Sequence, residues 1–218
     1  MLRNHANRIH VRIDFTMYSC QSIPTAELAV CKETFELYYF ESDTDDATDT
    51  YPGWTPDAYT KVKRIAADGR FSDPDTPNNQ VMNHVDEHFP VSKNGFYLGL
   101  RDQGACMALL KIEVYYVVCP FVVNNFARFE RTMTGASESD LVPVYGMCVE
   151  NSQRIDSRPP LYQCQGKLGT WTLIQGECGC SPGYEPMDDN QSCKGKNGLC
   201  YRFAVLGSGE EVFALEMK

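Results

Sequence analysis

Ten cysteines, spread unevenly over 218 residues, constrain the fold of this chain more than any other feature. Two lie near the start, two follow after a long interval, and six crowd the last third; in order they are Cys20, Cys31, Cys106, Cys119, Cys148, Cys164, Cys178, Cys180, Cys193 and Cys200. This density, with irregular gaps, is typical of extracellular modules that depend on disulfides more than on a large core. The sequence has none of the paired C-x-x-C knuckles that indicate a cytosolic zinc protein. The spacing therefore predicts an extracellular protein.

The composition is that of a globular protein with an acidic surface. Hydrophobic residues make up 43% of the chain and charged residues 22%, which argues against disorder. The formal charge of −9 disfavours nucleic acids and anionic membranes as partners. No apolar run approaches the ~20 residues of a membrane span, and the first eight residues lack the apolar stretch of a signal peptide. Together with the cysteines, this predicts a fragment of an exported protein.

The first 119 residues carry strong strand signals. Ile9, Val11, Ile13, Phe15 and Met17 alternate with polar residues, the period of a half-buried strand. Further strands are predicted at Thr34–Phe40, Tyr59–Ala66, Gln80–Phe89, Gly95–Arg101 and Met107–Val118. Turn-rich loops separate them, and no convincing helical period is present, so the pattern predicts an all-β antiparallel sandwich of the jelly-roll or immunoglobulin type.

Beyond Cys119 the strand signals shorten and turns become frequent. Asn124–Phe129 has the composition of a short helical turn, and the residues from there to Asp140 have that of a linker. We therefore expect small disulfide-rich modules in this part of the chain rather than a second large domain.

One short motif suggests a metal site. His84-Val-Asp-Glu-His88 matches the H-x-x-E-H pattern of inverted zinc peptidases, in which two histidines on a helix bind zinc beside a glutamate base. Pro90 follows almost at once, and the segment has the parity of a strand, on which both histidines point away from Glu87. We therefore favour a solvated strand and predict no metal and no cofactor.

The acidic stretch from Glu41 to Asp49 resembles a calcium loop only superficially. Counted from Asp43, Thr48 and Trp54 occupy the positions that require glycine and a bidentate glutamate in an EF-hand. A solvated loop between strands is the better interpretation. The sequence shows no catalytic serine, cysteine or histidine set and no phosphate-binding glycine loop, so we expect no enzyme.

The close pair Cys20 and Cys31 closes a short loop that contains Ile23 and Pro24. Such a bridge contributes roughly 2–3 kcal/mol by loop-closure entropy. It can serve as a staple alone, or it can hold a rigid surface loop that binds a partner at a low entropic cost. The sequence leaves both interpretations open.

Two patterns in the last third resemble known small modules. Gly169-Thr-Trp171, with the cysteines around it, resembles the sequence pattern of a sushi module. This resemblance implies the pairs Cys119–Cys164 and Cys148–Cys178. Residues 178–193 are similar to the end of an EGF-like unit, which implies Cys180–Cys193. Asn190-Gln-Ser192 is a candidate glycosylation sequon.

Taken in order, several specific stretches resemble one family, the ephrin receptors. The strings that carry the resemblance are CKETFELYY from Cys31, ESD from Glu41, YTKV from Tyr59, IAAD from Ile65, KNGFYL from Lys93, DQGACMAL from Asp102, and Tyr115-Tyr116 followed by Cys119-Pro120. The match runs without a break from about Arg8 to Cys193.

The resemblance implies the organisation and the partner of the chain. It predicts an N-terminally truncated jelly-roll ligand-binding domain at 1–119, a sushi-like module at 120–178, the start of an EGF-like module at 179–193 and an unmatched tail at 194–218. The parent would be a receptor tyrosine kinase on the outer side of the plasma membrane, which binds a membrane-anchored ephrin and clusters through its cysteine-rich region. The chain itself would bind without catalysing. The alternative is a secreted adhesion or decoy fragment that has lost ligand recognition.

The resemblance also implies a channel that receives a loop of the ephrin. Its predicted residues here are Tyr18, Ser19, Cys20, Ile23, Pro24, Cys31, Val91, Lys93, Gly95, Phe96, Ala105 and Cys106. Tyr18 stands where relatives place an arginine that pairs with an acidic ephrin residue, so a charge-assisted contact is lost. The loop at 43–57 corresponds to one associated with subclass choice.

The departures from the family pattern predict two unpaired cysteines. In the family the counterpart of Cys106 pairs with a cysteine that precedes the matched region, and Cys200 lies in the unmatched tail. We expect both thiols to be unpaired or joined in a non-native bridge. The missing opening strands would leave an unpaired sheet edge and an exposed apolar face.

Overall fold

The computed structural model describes residues 6–22, 31–55, 57–71 and 81–196. The chain divides into two compact units that are discontinuous in sequence. The first contains residues 1–119, 132–142 and 164–171, and the second contains residues 120–131, 143–163 and 172–218. Cys200 and most of the predicted tail lie outside the described residues, as do Ile23 and Pro24.

Two three-stranded antiparallel sheets form the main part of the described first unit. Its strands are β1 (Arg8–Met17), β2 (Thr34–Ser42), β3 (Thr60–Ala66), β4 (Asn83–Pro90), β5 (Gly95–Asp102) and β6 (Met107–Tyr115). The strand order is β4-β1-β6 in the first sheet and β3-β2-β5 in the second. All six predicted strands are present with small shifts at their ends, and the all-β prediction is confirmed.

The alternation in β1 builds the core between these sheets. Ile9, Val11, Ile13, Phe15 and Met17 are all at most 1% exposed. From the second sheet, Phe35 and Leu37 are equally buried, and the Phe35 ring meets the Phe15 ring edge to face at 5.1 Å. Each such side chain contributes roughly 1.5–3 kcal/mol by leaving water. β1 is therefore the central strand of the core.

The opposite face of β1 is also covered near its start, by residues 132–142 and 164–171. The Asn7 side-chain amide donates to the Thr134 carbonyl at 3.0 Å, and the Arg8 guanidinium donates to the Gly166 carbonyl. Gly166 permits this close packing, since a Cβ there would lie 2.6 Å from the Ser137 carbonyl oxygen. Burial and the charge of Arg8 lower the pKa of His10.

β6 differs sharply from its neighbour β1. Ile112 pairs with Ile13 and Val114 pairs with Val11, so these side chains share the inner face of the sheet. Ile13 and Val11 are fully buried, whereas Ile112 is 43% and Val114 48% exposed. Within the described ranges, the second sheet therefore buries these two side chains of β6 far less than their partners on β1.

Shorter strands follow from Val118 onward. They are β7 (Val118–Cys119), β8 (Val122–Asn124), β9 (Ala127–Phe129), β10 (Thr132–Met133), β11 (Leu141–Tyr145), β12 (Met147–Cys148), β13 (Ser152–Arg154), β14 (Leu161–Gln165), β15 (Trp171–Gln175), β16 (Cys178–Cys180), β17 (Tyr184–Pro186) and β18 (Cys193–Gly195). In the first unit β7 pairs with β10. In the second, β9 lies between β8 and β12, β13 pairs with β16, and β17 pairs with β18.

The predicted helical turn at Asn124–Phe129 is wrong. β8 and β9 form a hairpin there, and its two turn residues, Asn125 and Phe126, have positive φ angles of 48° and 55°. This conformation suits the twist of a two-residue hairpin loop. Strand β10 also lies in the predicted linker, because a strand of two residues is too short to show a period.

Four disulfides join the described cysteines. They are Cys20–Cys31, Cys119–Cys164, Cys148–Cys178 and Cys180–Cys193, the four pairs that the sequence and its resemblances implied. Cys106 carries an exposed free thiol. Among the described residues, no helix has the length and apolar character needed to cross a membrane.

Candidate ligand-binding site

One end of the first unit brings together six of the predicted channel residues: Tyr18, Ser19, Cys20, Cys31, Ala105 and Cys106. They lie where β1 ends and where β2 and β6 begin, because antiparallel neighbours bring these termini to the same end of the sandwich. The Tyr18 amide donates to the Cys106 carbonyl at 2.8 Å, and the Lys32 amide donates to the Gly104 carbonyl at 3.1 Å. The loop between β1 and β2 and the loop between β5 and β6 are thus joined twice through their backbones.

The carboxylate of Glu33 links the disulfide loop to Arg70. Its Oε1 accepts a hydrogen bond from the Cys20 amide at 2.8 Å, and its Oε2 lies 2.6 Å from Nε of Arg70. Next to Arg70, the Phe71 carbonyl accepts from the Ser19 amide at 3.0 Å. Sequence reasoning missed Glu33, Arg70 and Phe71, since no local pattern links residues so far apart in the chain.

The loop before β6 is shaped by Asp102. Its Oδ1 accepts hydrogen bonds from the amides of Gly104 at 2.9 Å and Ala105 at 2.7 Å. Gly104 has a φ of 111°, a conformation that glycine adopts without strain. The side chains of Lys32 and Gln103 meet at 3.0 Å and join this loop to the start of β2. The loop is therefore held by its own side chains.

The exposed groups at this end are mixed in character. Tyr18 is 38% exposed and offers an aromatic ring with a hydroxyl, while Ser19 beneath it is buried. Cys106 adds an exposed thiol, and Lys32 and Arg70 add positive charge beside Glu33. Such a surface can bind a partner through an aromatic contact and a few polar ones.

The other four described channel residues do not join this group. Val91, Lys93, Gly95 and Phe96 lie around the start of β5, and Asp102 at its other end lies beside the first group. Eight residues of extended strand separate these ends by about 23 Å. Moreover, Val91 is buried, and Phe96 packs edge to face on Phe89 at 5.3 Å. The structure therefore places Val91 and Phe96 in or against the core.

Two acidic residues organise that second end. Glu41 Oε1 accepts hydrogen bonds from the amides of Ser92 at 2.5 Å and Lys93 at 3.0 Å, and Asp43 Oδ1 accepts from the Asn94 amide at 3.1 Å. The start of the acidic stretch is therefore bound to a neighbouring loop, whereas residues 45–50 are exposed, as a solvated loop requires.

The outer face of the second sheet carries a strongly paired carboxylate. Glu36 is 3% exposed, and it accepts hydrogen bonds from Lys61 at 2.5 Å, Arg64 at 2.9 Å and the Tyr38 hydroxyl at 2.8 Å. These bonds lower the pKa of Glu36 to about 2. The cluster joins β2 to β3 through side chains on this face of the sheet.

The zinc-like motif forms part of β4, as the strand interpretation required. His84 Nδ1 lies 2.7 Å from Asp14 and His88 Nδ1 lies 3.9 Å from Glu138, whereas Glu87 pairs with Lys63 of the other sheet at 2.6 Å. Within the described ranges, no group of three or more histidine, cysteine or acidic side chains could hold a metal ion.

The glycosylation candidate Asn190 lies in a short 3₁₀ turn, Asp188–Asn190, of the second unit. Its side chain is exposed, and its carbonyl accepts a hydrogen bond from the Phe126 amide at 2.9 Å. Accessibility is compatible with modification, which stays a prediction.

Comparison with known proteins matches both parts of the chain. Residues 1–119 match the family described as "Ephrin receptor ligand binding domain", and residues 120–180 match the one described as "Ephrin cysteine rich domain". Ephrin type-B receptor 2 of Gallus gallus is 43% identical over 195 residues, which cover 88% of this chain and 19% of that protein.

Other relatives give the same result. Ephrin type-B receptor 5 of Gallus gallus is 40% identical over 197 residues, covering 88% of this chain and 20% of the relative. Ephrin type-B receptor 3 of Homo sapiens is 38% identical over 192 residues, covering 88% and 19%. The chain thus spans about a fifth of the length of these curated relatives. Because the ligand-binding match alone covers more than half of the chain, the protein belongs to the ephrin receptor family.

Proposed function

We propose that the first unit binds an ephrin through the loops at the Cys20–Cys31 end of its sandwich. The observation that carries this proposal is the joining of three loops at one end. The disulfide, the Tyr18–Cys106 and Lys32–Gly104 backbone bonds and the Glu33 carboxylate hold them together. A surface that is ordered before binding loses little entropy when the partner arrives.

Tyr18 is the residue that we expect to contact the ephrin most closely. It is exposed, it lies two residues before Cys20 of the disulfide, and its backbone is fixed by the bond to Cys106. A tyrosine there offers ring area and one hydroxyl instead of a bidentate guanidinium pair. The proposal therefore includes weaker binding of acidic ephrin loops than in relatives that carry arginine at this place.

The proposed parent is a receptor tyrosine kinase on the outer side of the plasma membrane, of which this chain supplies ligand recognition without catalysis. The second unit would then contribute to receptor clustering through its cysteine-rich surface. The match to the ligand-binding family over 1–119 supports recognition over a purely adhesive or decoy fragment.

Surface plasmon resonance on immobilised ephrins of both classes tests the binding proposal. The oxidised full chain should bind saturably to ephrins of at least one class. Tyr18→Ala should raise the dissociation constant at least tenfold, as expected for an aromatic hot spot. Tyr145→Ala is the matched control, because Tyr145 is 65% exposed in the second unit. Absence of saturable binding by the correctly oxidised chain would refute the proposal and favour the decoy alternative.

A second variant tests the choice of end. Lys93→Ala removes a predicted channel residue that lies at the opposite end of the sandwich. The affinity of this variant for the ephrin should therefore equal that of the parent chain. If Lys93→Ala weakens binding and Tyr18→Ala does not, the ephrin site lies at the other end.

A further inference from the structure

The imidazole of His10 is enclosed on the outer face of the first sheet. In the strand pairing, His10 lies opposite His88 of β4 on one side and opposite Tyr115 of β6 on the other. Its ring stacks on the Tyr115 ring with centroids 4.9 Å apart, and its centroid lies 5.4 Å from that of His88. His10 is only 7% exposed. Water therefore contributes little to stabilising a charge on this ring.

Arg8 determines which nitrogen of this ring can carry a proton. Its guanidinium is 1% exposed, and its Nε donates a hydrogen bond to Nε2 of His10 at 3.2 Å. Because arginine is only a donor and keeps its charge, Nε2 must be an acceptor without a proton. The proton of the neutral ring then lies on Nδ1, which is 3.9 Å from Oδ1 of Asp86. A second proton can be added only at Nε2, where it meets the N–H of Arg8.

The carboxylate beside His10 is already paired. Asp86 Oδ2 accepts a hydrogen bond from the Arg12 guanidinium at 2.9 Å and another from the Tyr115 hydroxyl at 2.6 Å. The Arg12 guanidinium also neutralises its charge, which reduces the attraction that Asp86 exerts on a protonated His10. Asp86 therefore offsets only part of the repulsion between Arg8 and a charged ring.

Two further titratable groups, His88 and Glu138, face the same site. Nδ1 of His88 lies 3.9 Å from Oε1 of Glu138. Burial, followed by the charges of Arg8 and His88, lowers the pKa of His10 from its ordinary value of 6.5, although Asp86 and Glu138 act in the opposite direction. The site as a whole therefore favours the neutral imidazole.

Arg8 also attaches two later segments, residues 132–142 and 164–171, to β1. Its guanidinium donates to the carbonyl of Gly166. The Gly166 amide in turn donates to the Asp140 carbonyl at 3.0 Å, so the two segments are bonded to each other. The guanidinium of Arg8 thus connects the imidazole directly to both segments.

We propose that the Arg8–His10 contact is pH-sensitive and releases residues 132–142 and 164–171 from β1 on acidification. When His10 takes up a proton at Nε2, it can no longer accept the hydrogen bond from Arg8, and two positive charges meet in a buried site. The guanidinium then leaves its position, and its bond to the Gly166 carbonyl is lost. Histidine is suited to this role because its charge changes between about pH 5 and pH 8.

The direction of the pH dependence follows from the lowered pKa of His10 in the attached state. In the released state the ring is hydrated and regains a pKa of about 6.5. The released state therefore binds more protons below this pH, and its population relative to the attached state rises by up to about tenfold per pH unit. A protonated His88 would attract Glu138 and oppose release, but both side chains are 41% exposed, so this pair is weak.

Hydrogen exchange of the oxidised full chain tests the proposal. Protection factors, which are corrected for the pH dependence of the intrinsic exchange rate, are compared at about pH 7 and about pH 5.5. The amides of Thr134 and Gly166, which donate to backbone carbonyls, should lose protection about tenfold at the lower pH. The amide of Leu37, which lies in the buried centre of the second sheet, should keep its protection.

Three histidine variants identify the group that titrates. In His10→Gln, the side-chain oxygen can accept from Arg8 but takes up no proton, so the protection factors should be equal at both pH values. His84→Gln is the matched control, because His84 belongs to the same sheet and its side chain is 59% exposed; it should retain the parental pH dependence. His88→Gln should also retain it, since His10 remains.

The tautomer of His10 provides a test that needs no variant. Nitrogen NMR of the isotope-labelled parent chain should show the proton of the neutral ring on Nδ1 and a pKa below 6.5. Parental protection that does not change with pH, a pH dependence that survives in His10→Gln, or a neutral ring with its proton on Nε2 would each overturn the proposal.

Discussion

The two compact units are stabilised by different means. The first contains a layered core of twelve buried apolar residues, and its two disulfides, Cys20–Cys31 and Cys119–Cys164, join loops or strand ends. In the second, the buried apolar residues of the described part include Phe126, Ala127, Phe129 and Tyr162, and the strands that lie wholly within it are two or three residues long. Cys148–Cys178 and Cys180–Cys193 add the cross-links that so small a core requires.

This difference shows what each kind of sequence signal reports. A strand pattern indicates a core that is stabilised by the burial of apolar side chains. A dense cysteine pattern indicates a unit that is stabilised by disulfides, which restrict the unfolded chain. The stacked rings of Phe129 and Tyr162, with centroids 4.0 Å apart, are the main aromatic contact in the described part of the second unit. We therefore expect reduction of the disulfides to lower the stability of the second unit more than that of the first.

Removing Cys148–Cys178 should have the largest effect. The bridge closes a loop of 30 residues, so the double Cys→Ser variant should lose about 4 kcal/mol of unfolding free energy in the second unit. Since a unit of this size has little more than that, we expect it to unfold while the first unit persists. Hydrogen exchange of the Ala127 and Phe129 amides measures the loss.

Tryptophan fluorescence provides the internal control for that experiment, because Trp54 and Trp171, the two tryptophans of the chain, both belong to the first unit. The denaturant midpoint of the first unit, followed by this fluorescence, should equal the parental value. Simultaneous loss of both signals would show that the units fold as one and would remove the basis of the comparison.

Burial in the first unit is tested by two isoleucines that face each other across one pairing. Ile13→Ala should cost about 3 kcal/mol, because Ile13 is fully buried and leaves a cavity. Ile112→Ala removes the same atoms from a side chain that is 43% exposed and should cost less than about 1 kcal/mol. Denaturant unfolding of dilute samples, followed by fluorescence, compares them.

Equal costs would contradict the comparison, since they would mean that the inner face of β6 is covered in solution as well as that of β1. The pair of variants therefore measures how unequally β1 and β6 are buried.

The strands could be predicted where side chains alternate over many residues. β1 shows five inward apolar residues in strict alternation, and β4 could be distinguished from a zinc-binding helix by parity and by Pro90. The hairpin at Asn124–Phe129 could not be predicted, because three-residue strands show no period and its positive φ angles fall on asparagine and phenylalanine instead of the usual Asn-Gly.

The candidate site could be predicted only in part, for a different reason. Tyr18, Cys20 and Cys106 follow from the resemblance, but Arg70 reaches Glu33 only through the pairing of distant strands. The resemblance also places Val91 in a channel loop, yet its side chain enters the core of this chain. The position of a loop in the sequence does not say which of its side chains point inward, because that depends on the strands that pack against it.

A smaller effect than that of Ile13→Ala is expected from a charged cluster that stabilises the first unit without apolar burial. The pKa of Glu36 is about 2 in the folded chain, below its ordinary value of 4.5. A lowered folded pKa gives stability that is complete above about pH 5 and is lost as the pH falls towards 2. Because Lys61, Arg64 and Arg101 are partly exposed, we expect Glu36→Gln to cost only roughly 2 kcal/mol at pH 7.

The pH profile distinguishes this electrostatic contribution from a loss of packing. The parent and Glu36→Gln should differ most at pH 7 and approach each other as the pH falls towards 2, because protonation then progressively removes the charge of Glu36 in the parent. Asp46→Asn, which neutralises an exposed carboxylate of the same unit, should follow the parent at every pH. A Glu36→Gln deficit that is constant from pH 7 to pH 2 would mean that the site stabilises the sheet by shape and not by charge.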